Sequence, residues 1–160
     1  MRVPAGSTRG SVWFIVVALL CLGAGGAALV SQHVFDMQPC PWCVLQRAIF
    51  LAIAIACGVG LLWRRLGAAL GIVFALCGIA AALWQHFQAA ASASCNLTLA
   101  DKIVSRWLHL DSVAPDVFEA RANCADVVVS LLGVSYDFWS LGLFILIALA
   151  LWGMLRQRAR

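Results

Sequence analysis

Long apolar blocks separated by short polar segments dominate the chain. The blocks cover residues 13–30, 44–63, 68–87 and 138–155. Each is close to the roughly 20 residues that a helix needs to cross a hydrocarbon layer about 30 Å thick. None of them alternates polar and apolar residues as the strands of a membrane barrel do. The pattern predicts an all-α membrane protein, a bundle of four transmembrane helices in one domain that covers residues 1–160.

The overall composition agrees with a lipid environment. Hydrophobic residues make up 64% of the chain and charged residues 11%, whereas soluble domains are nearer half apolar and a quarter charged. The first block, which follows Arg2 and Arg9, also has features of a cleaved secretory signal. Its apolar run is longer than the roughly 7 to 15 residues of a signal core, so a retained first span is the stronger interpretation.

Basic and acidic residues lie on opposite sides of the predicted bundle. Seven of the eleven basic residues fall at the two ends of the chain or between the second and third spans: Arg2, Arg9, Arg64, Arg65, Arg156, Arg158 and Arg160. All the acidic residues fall in two outer loops, at about residues 31–43 and 88–137: Asp36, Asp101, Asp111, Asp116, Glu119, Asp126 and Asp137. The positive-inside rule therefore makes both termini cytoplasmic. The net charge of +4 reports topology and does not indicate nucleic acid binding.

The seven cysteines divide by their depth in the predicted membrane. Cys21, Cys57 and Cys77 lie within the first three spans, where a thiol packs as a small apolar side chain. The other four lie on the outward side: Cys40, Cys43, Cys95 and Cys124. Outside a bacterial inner membrane, disulfides form and persist, so these four are the candidates for redox chemistry.

The first outward pair forms a C-x-x-C, Cys40-Pro41-Trp42-Cys43, at the start of the second span. Its small ring suits a disulfide that opens and closes, because a bracing disulfide gains more from closing a long loop. Proline is favoured in the first turn of a helix. If the helix begins near Pro41, its unpaired N–H groups and positive end favour a thiolate at Cys43.

Arg47 is the only charged residue within the four apolar blocks, and it lies one helical turn beyond Cys43. Two interpretations fit. In one, the arginine snorkels to the membrane surface. In the other, it is a cation that stabilises the Cys43 thiolate and the oxygen atoms of a reducible ligand.

The second outward pair, Cys95 and Cys124, brackets 28 residues of the second outer loop. A structural disulfide and a redox-active one fit this spacing equally well. Within the loop, two sets of residues alternate at roughly helical spacing: Ile103, Val104, Trp107, Leu108 and Leu110 against Asp101, Lys102, Ser105, Arg106 and His109. This pattern predicts a short interfacial helix lying on the membrane surface, and an ordinary packed loop helix is the alternative.

A zinc site built from the four outward cysteines is a weaker hypothesis. Cys40 and Cys43 have a ligand spacing, but Cys95 and Cys124 do not, and no neighbouring histidine completes a finger-like pattern. No metal is therefore expected.

Taken together, these motifs resemble a known bacterial family. The matching segments are Pro39-Cys40-Pro41-Trp42-Cys43-Val44-Leu45-Gln46-Arg47, Trp84-Gln85-His86-Phe87, the Cys95/Cys124 loop and Phe138-Trp139-Ser140-Leu141-Gly142. They are similar to the disulfide bond formation protein B (DsbB) family, the quinone-linked oxidases of the periplasmic thiol oxidase DsbA. The resemblance covers nearly the whole chain and implies a multi-pass protein of the bacterial inner membrane with periplasmic redox cysteines.

The resemblance also implies a division of labour between the cysteine pairs. Cys40–Cys43 is similar to the disulfide that faces the quinone, and Cys95–Cys124 is similar to the disulfide that oxidises a DsbA-like, thioredoxin-fold partner. Electrons then pass from the partner through both pairs by thiol–disulfide exchange.

Three residues are implied to border the quinone, which is either ubiquinone or menaquinone. Cys43 is next to it, Arg47 polarises it, and His86 is a neighbour. An uncharged histidine packed at the end of the third span fits His86 equally well.

Two other functions remain as alternatives. The vitamin K epoxide reductase-like family also joins four spans, two cysteine pairs and a quinone. Its quinone-proximal C-x-x-C opens the last span, whereas Cys40 and Cys43 open the second. The other alternative is a non-enzymatic membrane protein or transporter whose disulfides brace its outer loops, and Arg47 beside the C-x-x-C speaks against it.

Overall fold

Four long helices form the body of the protein. The computed structural model describes residues 6–35, 37–89, 130–131 and 134–156, and within the second outer loop residues 100, 102–107, 109, 112, 114–118 and 120. The long helices are α1 (Gly6–Val34), α2 (Pro41–Leu62), α3 (Arg64–Trp84) and α5 (Tyr136–Arg156). α1 packs along α2, α2 along α3, and α3 along α5.

All four helices are long and apolar enough to cross a membrane. The segments that meet this criterion are Gly10–Val34, Pro41–Leu62, Arg64–Phe87 and Phe138–Arg156. They coincide with the four apolar blocks within a few residues at each end. The predicted all-α, four-helix membrane bundle is confirmed.

Short elements complete the described part of the chain. They are the π-helical turns π1 (Gln85–Ala89) and π2 (Lys102–Trp107), the single turn α4 (Pro115–Phe118), and a two-residue ladder of β1 (Ser130–Leu131) with β2 (Val134–Ser135). π2 lies where the sequence predicts an interfacial helix. In it Val104 is buried while Trp107 is 81% exposed. Its position at the membrane surface stays a prediction.

The connection between α2 and α3 is shorter than the sequence suggests. Trp63 alone interrupts the helices, with φ −124° and ψ 82°, and its N–H still donates to the Val59 carbonyl oxygen. Arg64 and Arg65 therefore lie in the first turn of α3 and not in a loop. Arg64 Nη2 donates to Ser11 Oγ at 3.5 Å, which joins the starts of α3 and α1 at one end of the bundle.

α1 and α5 stand at the two ends of this packing order. Each buries one narrow stripe of side chains and leaves its other faces to lipid. On α1 the buried residues Phe14, Val17, Cys21 and Ala28 recur at helical spacing. On α5 the corresponding set is Ser140, Phe144, Ile147 and Leu151. Large apolar side chains elsewhere on these helices are exposed, which is the arrangement expected where lipid replaces water as the solvent.

Glycines let α3 approach its neighbours closely. A Cβ atom built on Gly67 would collide with the Gly60 backbone and lie 2.6 Å from the Ala56 carbonyl oxygen. A Cβ atom on Gly78 would lie 2.5 Å from Phe144 Cε1. Small residues at such contacts are the usual basis of helix packing in membranes.

Gly78→Ala is expected to destabilise the bundle. Phe144 is fully buried and stacks on Phe50 with ring centroids 4.2 Å apart, so it has little room to yield. Overpacking of this kind costs about 1–3 kcal/mol, or roughly 5 °C in the apparent melting temperature of the detergent-solubilised protein. Gly58→Ala is the matched control, because no described atom lies within 4 Å of a Cβ built there. Equal melting temperatures for the two variants would contradict this account of the packing.

Candidate active site

A cysteine pair opens α2 with both sulfur atoms at the helix N-terminus. Cys40 is the N-cap residue, Pro41 occupies the first turn, and the Cys43 N–H donates to Cys40 Sγ at 3.3 Å. The two Sγ atoms lie 2.8 Å apart. Cys40 is only 1% exposed, whereas Cys43 is half-buried. The pair is therefore close enough for disulfide exchange, and the positive end of the helix favours negative charge on sulfur.

Cys43 borders a cavity of about 510 Å³, a volume typical of small-ligand sites. α1, the segment before α2, α2, Gln85 and α5 enclose it. Its walls are mainly apolar and include Ala24, Phe50, Leu143 and Leu146. The cavity lies between residues of α1, α2 and α5, with Cys43 among the few polar residues at its border.

Arg47 borders the same cavity and is held in place by three acceptors. Its Nη1 atom donates to Gln32 Oε1 at 2.7 Å and to the Val117 carbonyl oxygen at 3.1 Å. Its Nη2 atom donates to the Ala28 carbonyl oxygen at 3.1 Å. The guanidinium group thus joins α1, α2 and α4. Two of these acceptors are backbone carbonyl oxygens and the third is a side-chain amide, and together they orient the guanidinium group at the cavity.

Two buried glutamines connect α2 to the end of α3. Gln46 Nε2 donates to Gln85 Oε1 at 2.8 Å, and Gln85 Nε2 donates to Cys43 Sγ at 3.4 Å. The side chains are 4% and 7% exposed, and both border the cavity. The sulfur of Cys43 therefore receives a hydrogen bond from a side chain of another helix.

Comparison with known proteins assigns the family. The family model described as "Disulfide bond formation protein DsbB" matches residues 10–154. The chain belongs to the DsbB family. Among its DsbB relatives, the disulfide bond formation protein B of Ralstonia nicotianae is 33% identical, with 92% of this chain and 95% of the relative covered. The protein of the same name from Pseudomonas syringae pv. tomato is 35% identical, with 86% and 84% covered.

In this DsbB family member, His86 stands one layer away from the cavity. Its ring centroid lies 4.6 Å from that of Phe138, which borders the cavity, and 5.1 Å from that of Phe87. His86 itself is not among the described residues that line the cavity. A contact between His86 and a quinone stays a prediction.

Cys95 and Cys124 lie outside the residues that the structure describes. Their pairing, and their distance from Cys40, stay predictions from the DsbB resemblance. The described parts of the loop between them reach the site, because Val117 contacts Arg47 and Gln32 Nε2 donates to the Asp116 carbonyl oxygen at 3.3 Å.

Sequence reasoning missed Gln32, Gln46 and Gln85 as members of the candidate site. Gln46 and Gln85 belong to the motifs that carry the resemblance. They stand next to Arg47 and His86, the residues to which the resemblance assigns roles at the quinone. A usable signal was present, because polar side chains inside membrane spans are costly and are usually paired or functional.

Proposed function

We propose that this protein is a quinone-dependent thiol oxidase of the bacterial inner membrane that reoxidises a periplasmic, DsbA-like partner. The observation that carries the proposal is the position of Cys43, which borders a mainly apolar cavity together with Arg47 and has Cys40 Sγ at 2.8 Å. The DsbB relatives are named for disulfide bond formation, which supports the direction of electron flow.

The donor set around the cavity suits a quinone. A quinone ring and its tail need apolar walls, and its carbonyl oxygens need hydrogen-bond donors. Arg47, Gln46 and Gln85 supply donor groups, and the apolar faces of α1 and α5 supply the walls. When bound, the quinone supplies a two-electron, two-proton acceptor for the Cys40/Cys43 dithiol.

The outer cysteine pair receives the electrons first. A partner thiolate attacks Cys95, the Cys95–Cys124 bond breaks, and Cys124 leaves as a thiolate. The second thiolate of the partner then attacks the partner's own sulfur in this mixed disulfide. That step releases the oxidised partner and leaves Cys95 as a thiolate.

A second exchange moves the electrons inward. The Cys124 thiolate attacks Cys40, a Cys40–Cys124 bond forms, and Cys43 leaves as a thiolate with the electron pair of the broken bond. Cys95 then attacks Cys124, which restores the outer disulfide and releases Cys40. The two electrons therefore end on Cys40 and Cys43, and protons taken from water complete the dithiol.

Burial makes the two sulfurs of the C-x-x-C unequal. Cys40 is 1% exposed, so the groups that cover it must move aside before the thiolate of Cys124 can attack its sulfur. Cys43 lies three residues further into the helix, borders the cavity and is the leaving group of that exchange. The positive end of α2 stabilises the thiolate that results.

The topology of the chain provides one test. We expect a reporter fused after Arg160 to behave as cytoplasmic, and a membrane-impermeant thiol reagent to label Cys95 from the periplasmic side after reduction. The basic residues at the two chain ends and at Arg64 and Arg65 motivate this expectation. A periplasmic reporter after Arg160, or labelling of Cys95 only from the cytoplasm, would contradict the topology and the electron path.

Activity of the purified protein tests the proposal directly. The reduced thioredoxin-fold partner is mixed with the protein in lipid nanodiscs and with ubiquinone or menaquinone, and quinone absorbance is followed. We expect one quinone to be reduced for each disulfide formed in the partner. A Cys40→Ser/Cys43→Ser variant controls for direct reaction between thiols and quinone. No reduction above that control with either quinone would overturn the proposal.

A further inference from the structure

The hydrogen bond that Cys43 receives from Gln85 is directional. Gln85 presents its N–H₂ group to the Cys43 sulfur, and its carbonyl oxygen faces Gln46. The opposite orientation would place a carbonyl oxygen against that sulfur, where it would repel a thiolate. Gln46 Nε2 donates to Gln85 Oε1 at 2.8 Å, and with Gln46 in this orientation the bond holds the N–H₂ group of Gln85 toward the sulfur.

We propose that Gln85 is a catalytic residue that stabilises the Cys43 thiolate, and that Gln46 is the positioning residue that keeps the Gln85 amide turned toward the sulfur. The assignment rests on the proposed function, in which Cys43 leaves as a thiolate when Cys40 is attacked. A leaving thiolate that accepts a hydrogen bond departs faster and is ready for oxidation in a larger fraction of molecules.

The position of Gln85 in the fold supports the role proposed for Gln85 and Gln46. Gln85 stands where α3 gives way to the π-helical turn π1, and its N–H is shared between the Ala81 and Ala82 carbonyl oxygens. Short π-helical segments are frequent at functional sites. In a chain of hydrogen bonds each bond polarises the next, so the donation from Gln46 also strengthens the donation to Cys43.

A purely structural explanation makes different predictions. In that explanation the two amides only satisfy one another, as buried polar groups must, and Cys43 is a bystander. An isosteric side chain that keeps a hydrogen bond to Gln46 would then be tolerated at position 85. If the N–H donor of Gln85 matters, the isosteric Gln85→Glu variant must fail, because an ionised carboxylate has no N–H or O–H to donate.

The alkylation rate of Cys43 tests the inference without quinone or partner. The protein carries Cys40→Ser, Cys95→Ser and Cys124→Ser, and iodoacetamide addition to Cys43 is followed by peptide mass spectrometry. At about pH 7 we expect Gln85→Leu and Gln85→Glu to lower the rate about tenfold, the loss expected for one hydrogen bond to a charged group. At about pH 10.5, where thiols are mostly ionised, the rates of these variants should match the parent or slightly exceed it.

Gln46 is tested through its dependence on Gln85. Gln46→Leu should lower the alkylation rate at about pH 7 several-fold and leave the rate at about pH 10.5 unchanged. The double variant Gln46→Leu/Gln85→Leu should be no slower than Gln85→Leu alone, because Gln46 acts only through Gln85. His33→Leu is the control: this exposed side chain does not border the cavity and bonds the Leu29 carbonyl oxygen of its own helix, so its loss should leave the alkylation rate of Cys43 within about twofold of the parent.

Each outcome separates this inference from the proposed function. Equal rates at about pH 7 for the parent and both Gln85 variants would overturn the role of Gln85, even in a protein that reduces quinone. A rate that falls equally at both pH values would mean lost access or misfolding and would also overturn it. If the variants show the expected alkylation rates but the protein reduces no quinone, the role of the amide pair stands and the proposed function is refuted.

Discussion

Cys124→Ser is expected to reduce turnover of the thiol partner to the level of the uncatalysed reaction. On the proposed path, Cys124 is the thiol released when the partner attacks Cys95, and it is the group that carries the electrons to Cys40. Serine cannot form a disulfide, so in the variant the electrons cannot pass from the outer cysteine pair to Cys40. The single thiol of Cys95 can still be captured by a partner whose second cysteine is replaced by serine and whose first is activated as a mixed disulfide with a small thiol. Cys95 displaces the small thiol, and the mixed disulfide is long-lived because no second thiol is left to resolve it.

Non-reducing gels distinguish the two outer cysteines. Cys124→Ser mixed with the partner should give a band at the summed mass that reductant removes, and Cys95→Ser should not accumulate it. Cys77→Ser is the matched control, because Cys77 is exposed on the apolar part of α3 and should leave turnover unchanged. Equal adducts from both outer variants would mean that their roles are wrongly assigned. Full activity in either would make the Cys95–Cys124 bond structural.

The membrane helices could be predicted from the sequence because lipid imposes a simple requirement. A span needs an uninterrupted apolar run of sufficient length, and four such runs are visible. Helix ends are less constrained, because a helix can continue into the polar boundary of the membrane. For this reason α1 extends from Gly6 to Val34, and α3 already begins at Arg64, before the third apolar block.

The site could be predicted only where its residues are neighbours along one helix. Cys43 and Arg47 are one turn apart, so their shared face follows from helical geometry, and both border the cavity. The contact of Gln85 with Cys43 joins residues 42 positions apart and depends on how α2 and α3 pack. Local spacing carries no information about such a pair. The side-chain direction of His86 likewise depends on the change from α3 to π1, which the sequence does not reveal.

The hydrogen bonds of Arg47 help to distinguish its two interpretations, a snorkelling arginine and a cation at a ligand site. A snorkelling arginine would extend its guanidinium toward water and the lipid head groups. Here the guanidinium is drawn to Gln32, to the Ala28 carbonyl oxygen of α1 and to the Val117 carbonyl oxygen of α4, and it borders the cavity. A guanidinium group that these bonds orient beside an apolar pocket is well suited to attract a ligand oxygen that gains negative charge on reduction.

Arg47→Ala is therefore expected to weaken quinone use while sparing reaction with the partner. Loss of a hydrogen bond to charge should raise the apparent KM for quinone about ten- to a hundredfold, as measured by steady-state quinone reduction. Arg47→Lys should recover part of the loss, because lysine restores the charge but lacks the planar fork that reaches acceptors on α1 and α4. A single-turnover reaction between the oxidised variant and the reduced partner should proceed at the parental rate.

A second arginine in the same chain supplies the control for this experiment. Arg65→Ala removes an exposed arginine from the first turn of α3, a position that does not border the cavity, and should leave KM and kcat unchanged. Arg47→Ala also removes a bond to the Val117 carbonyl oxygen, so hydrogen exchange in α4 should increase even without quinone. Faster exchange in α4 with unchanged quinone kinetics would mean that Arg47 only anchors the outer loop to the bundle. Faster exchange together with a raised KM means that the residue which holds the outer loop in place also forms part of the quinone pocket.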